Sequence, residues 1–249
     1  MKLFFATLSG ALALSLAACG NGAGDTPKAA PVKAVAAPAG RDWTQVVAKT
    51  AEGYVMGNPD APIKLAEYGS RLCPTCRAVA TEGFEPLTDN YVKSGKVSFE
   101  FREFLVHGQV DVPPSLLGSC VGADPFFPLL EQMYQNQPQF LDALQRSSPA
   151  VQGRINAAKP PQTFLLMGRA MGLVDFVKAR GVPEAKATQC LTDMAGIDRL
   201  TKQTQSKGPE AGGGDGTVSG TPTFLINGKV ADGVITWAAL EQALKHAGA

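Results

Sequence analysis

An excess of charge of either sign is missing from this chain. Its 249 residues carry 23 Lys and Arg against 22 Asp and Glu, a formal net charge of +1. That balance leaves no electrostatic reason to expect nucleic acid or an anionic surface as the partner. Histidine is scarce. Only His107 and His246 occur, neither has a cysteine or serine near it in sequence, and neither takes an assignable role. No internal repeat is present. Past residue 16 no hydrophobic run reaches spanning length, so the body of the chain is expected to be soluble. With 45% apolar and 18% charged residues, a sizeable core is expected and wholesale disorder is not. The length fits one large domain or a domain carrying a substantial insertion.

What is there begins at the N-terminus. Lys2 is followed by an apolar stretch, Leu3 to Leu16, which ends in Leu16-Ala17-Ala18-Cys19. The stretch is too short for a stable span, and small residues before a cleavage point suit a signal peptidase. The run Leu-Ala-Ala-Cys followed by Gly20 resembles a bacterial lipoprotein signal, in which Cys19 is lipidated and anchors the chain to a membrane. An ordinary signal peptide with an incidental cysteine is the alternative. Because Gly20 rather than Asp follows Cys19, the resemblance implies outer-membrane sorting in a Gram-negative host, and otherwise the outer face of the cell membrane. Residues 1–18 are thus expected to be a signal peptide. Residues 19–41, rich in Ala, Pro, Gly and Lys without apolar periodicity, are expected to be a flexible tether.

Five cysteines are awkward for a disulfide protein until Cys19 is assigned to lipid. Four remain: Cys73, Cys76, Cys120 and Cys190. Export would place them in an oxidising compartment. Two pairs is the economical partition, with Cys73 and Cys76 labile and Cys120 and Cys190 structural. Two independent buried thiols at 120 and 190 is the alternative.

Ile63 to Tyr68 alternates apolar and less apolar residues and predicts a strand after the turn Gly57-Asn58-Pro59-Asp60-Ala61-Pro62. Tyr54-Val55-Met56 reads as a short first strand. Val79, Phe84, Leu87 and Tyr91 fall near helical spacing, predicting a helix from about Cys73 to Tyr91. Val97 to Phe104 is a period-two strand. Residues 113–208 read as helices punctuated by prolines. Thr223 to Ile226, the Asn227-Gly228 turn and Lys229-Val230-Ala231 form a hairpin, and a helix with Trp237, Leu240 and Leu244 on one face follows, capped by Thr236. The glycine-rich run Gly212 to Gly216 lacks the Lys-Ser/Thr ending of a phosphate loop and reads as a surface loop. The expected architecture is α/β. A mixed sheet flanked by helices is built from residues 42–112 and 209–249, with a helical domain, 113–208, inserted between them.

Chemistry concentrates at Cys73-Pro74-Thr75-Cys76. At the start of a helix, unpaired backbone N–H groups and the helix dipole stabilise a thiolate at Cys73. Its pKa falls, and the disulfide becomes a better oxidant. Pro74 suits the first turn because its missing N–H would have been unpaired anyway. Cys76, one turn deeper, is placed to resolve a mixed disulfide. A zinc half-site would need a second closely spaced ligand pair, and none exists. A purely structural bridge across so short a loop gains little.

The run Gly57 to Pro62, then Glu67-Tyr68-Gly69-Ser70, Cys73 to Cys76, Phe101-Arg102-Glu103-Phe104 and Gly220-Thr221-Pro222-Thr223 through Gly228, resembles the DsbA-like thiol–disulfide oxidoreductases of the thioredoxin superfamily over roughly residues 50 to 247. The resemblance implies a thioredoxin fold, Cys73 as nucleophile, Cys76 as resolving partner and Glu67 as proton relay. It also implies a cis Pro222 preceded by Thr221. No cofactor is implied. Substrates would be exported proteins with cysteine thiols, and a DsbB-like membrane partner would reoxidise the pair. Some relatives carry a second, non-catalytic bridge, the place Cys120 and Cys190 would take. Glu67 in a core strand should have a raised pKa; pointing to solvent is its alternative, as an ordinary trans turn is for Pro222. Most oxidant members have His where this chain has Thr75, so Cys73 is expected to be less acidic than in them and the pair a weaker oxidant. Two rivals remain: a reductase or isomerase, and a tethered peptide-binding, chaperone-like module.

Overall fold

The period-two runs of the sequence become strands of one six-stranded sheet. In the computed structural model, which describes residues 29–249, the strands are β1 (Val47–Lys49), β2 (Tyr54–Gly57), β3 (Ile63–Gly69), β4 (Val97–Glu103), β5 (Thr223–Ile226) and β6 (Lys229–Val230). They lie in the order β1-β2-β4-β3-β5-β6. Only β3 and β4 run parallel. A parallel pair needs a crossover, which α1 (Pro74–Pro86) supplies. Asn227 and Gly228, at φ 51° and 78°, make the tight turn between β5 and β6, the left-handed conformation that a two-residue hairpin demands.

Strand parity decides which residues meet. Ile63, Leu65 and Glu67 share one face of β3, and their neighbours in register include Val97, Phe99 and Phe101 on β4 and Phe224 on β5. This face packs on Val79 of α1 and, after the insertion, on Leu240 and Leu244 of the C-terminal helix.

Between β4 and β5 come seven helices: α2 (Val112–Cys120), α3 (Phe126–Gln145), α4 (Pro149–Ala157), α5 (Gln162–Ala170), α6 (Leu173–Lys178), α7 (Glu184–Leu191) and α8 (Met194–Lys207); α9 (Trp237–His246) closes the fold. Thr236 caps α9 by accepting from the Ala239 N–H. The insertion is not a separate body. Phe126, Phe127, Leu130 and Tyr134 of α3 belong to the sheet's core. Leu129, Met133 and Phe140 of the same helix join Leu72, Leu173 and Leu191 in a second one. Burying two phenylalanines beneath the sheet contributes about 2–3 kcal/mol each.

Three expectations are corrected. An earlier strand, β1, precedes Tyr54–Gly57; its three residues are too few to show a period. The helix expected to reach Tyr91 is regular only to Pro86, whose ring nitrogen has no hydrogen to donate. A π-helical turn, Leu87–Val92, follows, with the Lys93 N–H bonded to the Thr88 carbonyl. Residues 29–41 do not behave as a free tether. Ala29 and Val32 donate to the carbonyls of His246 and Gly248, and Val35 to that of Ser94. Trp43 Nε1 returns a 2.7 Å bond to the Val35 carbonyl, and Val32 and Ala37 pack on the core. Cys19 and the signal sequence lie outside the described residues.

Cys120, at the end of α2, is bonded to Cys190 in α7, with Cα atoms 6.0 Å apart and a sequence separation of 70. A loop of that length should make the bridge worth about 4 kcal/mol in the chain-entropy account. Urea unfolding of Cys120→Ala/Cys190→Ala is expected to show that loss; a loss under about 1 kcal/mol would mean the unfolded insertion is already constrained.

Candidate active site

β3 ends at Gly69, and Ser70-Arg71-Leu72 turns the chain into α1. Cys73 is the N-cap of that helix, in extended conformation, with Pro74 in the first turn. Its Sγ accepts from the Cys76 N–H at 3.4 Å, so the sulfur takes up one of the four amide groups a helix start leaves unpaired. Both thiols are free. Across the cleft, the cis Thr221–Pro222 bond presents the Thr221 carbonyl, which accepts from Cys73 Sγ at 3.2 Å.

The two sulfurs are electrostatically unlike. The hydrogen bond from the Cys76 thiol and the backbone amides of Cys76 and Thr75, with the Thr221 hydroxyl nearby, bring Cys73 down to about 5 against the opposing effect of burial. Cys76 has no exposed surface. Burial, its hydrogen bond to Cys73 and the negative charge of Glu67 push it well above the usual thiol range. Above pH about 5 the reduced pair is therefore a thiolate beside a thiol. Thr75 contributes through its backbone amide.

Glu67 sits on the core face of β3, between Phe101 and Phe224 in register, and is 6% exposed. Burial, the Cys73 thiolate and Glu103 raise it to about 8. A carboxyl so placed is protonated at neutral pH, and its charge, when present, is felt at both sulfurs.

Sequence reasoning missed the supports beneath the loop. Arg71 is fully buried, 1% exposed. Its Nε donates to Glu103 Oε1 at 2.7 Å, its Nη1 to Met133 Sδ at 3.3 Å, and its guanidinium lies over the rings of Phe101 and Phe126. Ser115 donates to the other Glu103 oxygen at 2.8 Å. Gly118 makes the room, since a Cβ there would come within 2.1 Å of the guanidinium carbon. Gln137 Nε2 donates to the carbonyls of Arg71 and Cys73, each at 3.0 Å. Ser70 Oγ donates to the buried Asp111 at 2.7 Å and accepts from the Leu72 N–H at 3.0 Å; Asp111 also faces His107 Nδ1 at 3.1 Å. Glu103 had a signal: parity puts it on the face of Phe99 and Phe101. Arg71 and Gln137 had none.

A groove of about 360 Å³ borders the Thr221–Pro222 loop, with Ser219, Thr223, Val230 and Ile235 in its walls. Val230 and Ile235 are both exposed apolar side chains. Among the described residues, no three His, Cys, Asp or Glu side chains converge as a metal site, and no helix is long and apolar enough to cross a membrane.

Breaking a buried ion pair leaves a charge without compensation, at about 3–5 kcal/mol. Glu103→Gln is expected to lose that much in denaturant unfolding, and Arg71→Met/Glu103→Leu to recover most of it. A wild-type midpoint for Glu103→Gln would contradict this account of the pair.

With this geometry in place, known proteins offer a direct comparison. A family model described as thioredoxin matches residues 49–246. Disulfide bond formation protein D of Bacillus subtilis is 28% identical over 87 residues, covering 34% of this chain and 39% of that protein. A Rickettsia bellii relative named for protein-disulfide oxidoreductase activity is 26% identical over 176 residues, or 70% of this chain and 56% of the relative. The chain thus spans about half or less of the length of these curated relatives. Among solved structures, a protein-disulfide isomerase from Novosphingobium aromaticivorans is 28% identical with a TM-score of 0.71, covering 78% of this chain and 97% of that one. BdbD from Bacillus subtilis, at 17% identity, 84% and 99% coverage and a TM-score of 0.56, shares the fold. The chain belongs to the thioredoxin family.

Proposed function

We propose that this protein is an exported, lipid-tethered enzyme that oxidises cysteine thiols of exported proteins to disulfides through Cys73 and Cys76. The observation that carries the reading is the placement of the two sulfurs: Cys73 caps the helix and accepts from the Cys76 N–H at 3.4 Å, while Cys76, one turn deeper, has no exposed surface, which lowers the first thiol and raises the second. A stable Cys73 thiolate favours the reduced pair, and so makes the disulfide a stronger oxidant.

In the forward direction a substrate thiolate attacks Cys73 Sγ. The Cys73–Cys76 bond breaks, its electron pair leaves on Cys76, and a mixed disulfide forms. Glu67, protonated at neutral pH, gives its proton to the departing Cys76. A second substrate thiolate then attacks the substrate sulfur, releasing a substrate disulfide and the Cys73 thiolate. At neutral pH the Glu67 carboxyl, held at about 8 in the reduced protein, takes up a proton again, and a DsbB-like membrane partner that accepts two electrons and the Cys76 proton would return the pair to its disulfide. The groove beside Pro222, with Val230 and Ile235 exposed, suits an extended peptide laid against the Thr221 backbone as an added strand. Lipid at Cys19 would hold the enzyme on the outer membrane of a Gram-negative host, or on the outer face of the cell membrane.

A second reading, shuffling or reduction of disulfides, draws support from the isomerase named among the similar structures. It uses the same two sulfurs with electrons supplied to them. A chaperone-like module would use the groove and not the sulfurs.

Purified protein carrying a Cys73–Cys76 disulfide is expected to speed the oxidative folding of a reduced, unfolded substrate, and Cys73→Ser to abolish that. Folding assistance surviving intact in Cys73→Ser would remove the enzyme reading in favour of the chaperone one.

Glu67→Gln removes the proton donor and is expected to slow single-turnover exchange about 10²-fold. It also reports on stability. With a folded pKa of about 8 against 4.5 unfolded, Glu67 favours folding below pH 4.5, and that advantage is lost as pH rises through 8. Glu67→Gln should therefore gain stability over the wild type progressively across this window in urea titrations. A constant difference at every pH would mean that Glu67 is not held protonated by the fold.

A further inference from the structure

Tyr134 carries a hydroxyl that packing does not explain. It lies on α3, 3% exposed, and its hydroxyl is buried without a partner among the described residues. An unmade bond of this kind costs about 1–3 kcal/mol, and a phenylalanine would avoid it. The other contacts of the residue do not need the oxygen: its ring meets Phe101 edge-on at 6.5 Å, and its backbone carbonyl accepts from Arg77 Nε at 3.1 Å.

The side chain shares a small apolar cavity with Glu67, whose walls include Val79, Leu130, Phe224 and Trp237. Its volume, about 20 Å³, admits one water molecule. The charges around the hydroxyl come from three strands and helices: Cys76 on α1 acts on it most strongly, then Glu67 on β3, with Arg71 and Glu103 beyond. Glu67 in turn faces Cys73 and Glu103. Burial and these neighbours hold the phenol proton far above its ordinary range, so Tyr134 is a permanent donor and never an anion.

We propose that the Tyr134 hydroxyl is the hydrogen-bond donor for the negative charge that develops at Cys76 and passes to Glu67 when the Cys73–Cys76 disulfide opens, either directly or through one water. The inference rests on the thiol-exchange reading above. When a substrate thiolate attacks Cys73, the S–S electron pair arrives on Cys76 in a site without solvent. The Glu67 proton then neutralises the sulfur and leaves a carboxylate in the cavity that Glu67 lines together with Tyr134. Tyr134 transfers no proton in this scheme. It supplies a dipole already aimed at the charge, the arrangement by which a dry site stabilises a transition state. The donor comes from the helical insertion, which thereby takes part in the exchange step.

The test is the single-turnover reaction of the oxidised protein with a cysteine-containing peptide, followed across pH. Tyr134→Phe keeps the ring. It is expected to react about tenfold more slowly at neutral pH, the size of one charge-assisted hydrogen bond. The falling alkaline limb set by Glu67 should move to higher pH, because the carboxylate has lost its donor. Thiolate absorbance should still place Cys73 where the wild type has it, and the thermal midpoint should hold or rise, because the phenylalanine buries no unpaired hydroxyl. The effects of Tyr134→Phe and Glu67→Gln should fall short of additive in the double variant. A fluorinated tyrosine at position 134 keeps the packing and strengthens the donor; it should restore or raise the rate and move the alkaline limb down. Superimposable pH profiles for wild type and Tyr134→Phe would overturn the inference. So would a uniform loss at every pH with a lowered thermal midpoint that the fluorinated residue repairs without moving the limb. Should the wild type itself fail to exchange, the thiol-exchange reading falls instead, which keeps the two failures distinct.

Discussion

The contact on which the rest depends is between the Cys73 sulfur and the first turn of α1. A helix start leaves amide hydrogens without partners and a partial positive charge at its end, and here a sulfur occupies the cap where a hydroxyl or carboxylate is usual. The Cys76 amide at 3.4 Å and the Thr75 amide reward the thiolate form. A second thiol one turn in, cut off from water, does the reverse. From one helical turn, then, come a nucleophile or leaving group that is charged at neutral pH and a partner that resists charge. Glu67 reads the same field from the strand below and becomes an acid that still holds its proton at neutral pH.

Holding Cys73 at that cap requires that the Ser70-Arg71-Leu72 turn not move. A guanidinium with 1% exposure is an unusual fastening. It is tolerable because Glu103 neutralises it, Ser115 completes the carboxylate, and two aromatic rings accept the cation's faces. Gln137, reaching from α3 to two carbonyls of the turn, fixes the backbone itself. These partners come from β4, α2 and α3, so the inserted helices are structural neighbours of the loop that carries Cys73. That also accounts for α3 contributing to two cores at once.

Much of this was legible in the sequence wherever a local period or a turn rule was at stake. β3 and β4 announce themselves by alternation, Asn227-Gly228 by its need for left-handed backbone, and the cap of α1 by cysteine followed by proline. Glu67 shares its parity with Ile63 and Leu65, and of the two faces the sequence left open for it the structure gives it theirs. Other features have no local signature. β1 is three residues long, and its pairing with β2 is seen only in the register. Arg71 looks like an ordinary loop residue, because its burial depends on Gly118 leaving space and Glu103 supplying charge from distant positions. Residues 29–41 read as a tether by composition. They lie on the body because Trp43 and the carbonyl of Val35 meet across eight residues.

The central claim is that the fold stabilises the reduced pair through the Cys73 thiolate, making the disulfide an oxidant. The reduction potential of the Cys73–Cys76 couple tests it most directly. The account predicts a value well above that of thioredoxin and toward the strongly oxidising end, about −120 mV. A value near about −270 mV, the thioredoxin end of the scale, would contradict it.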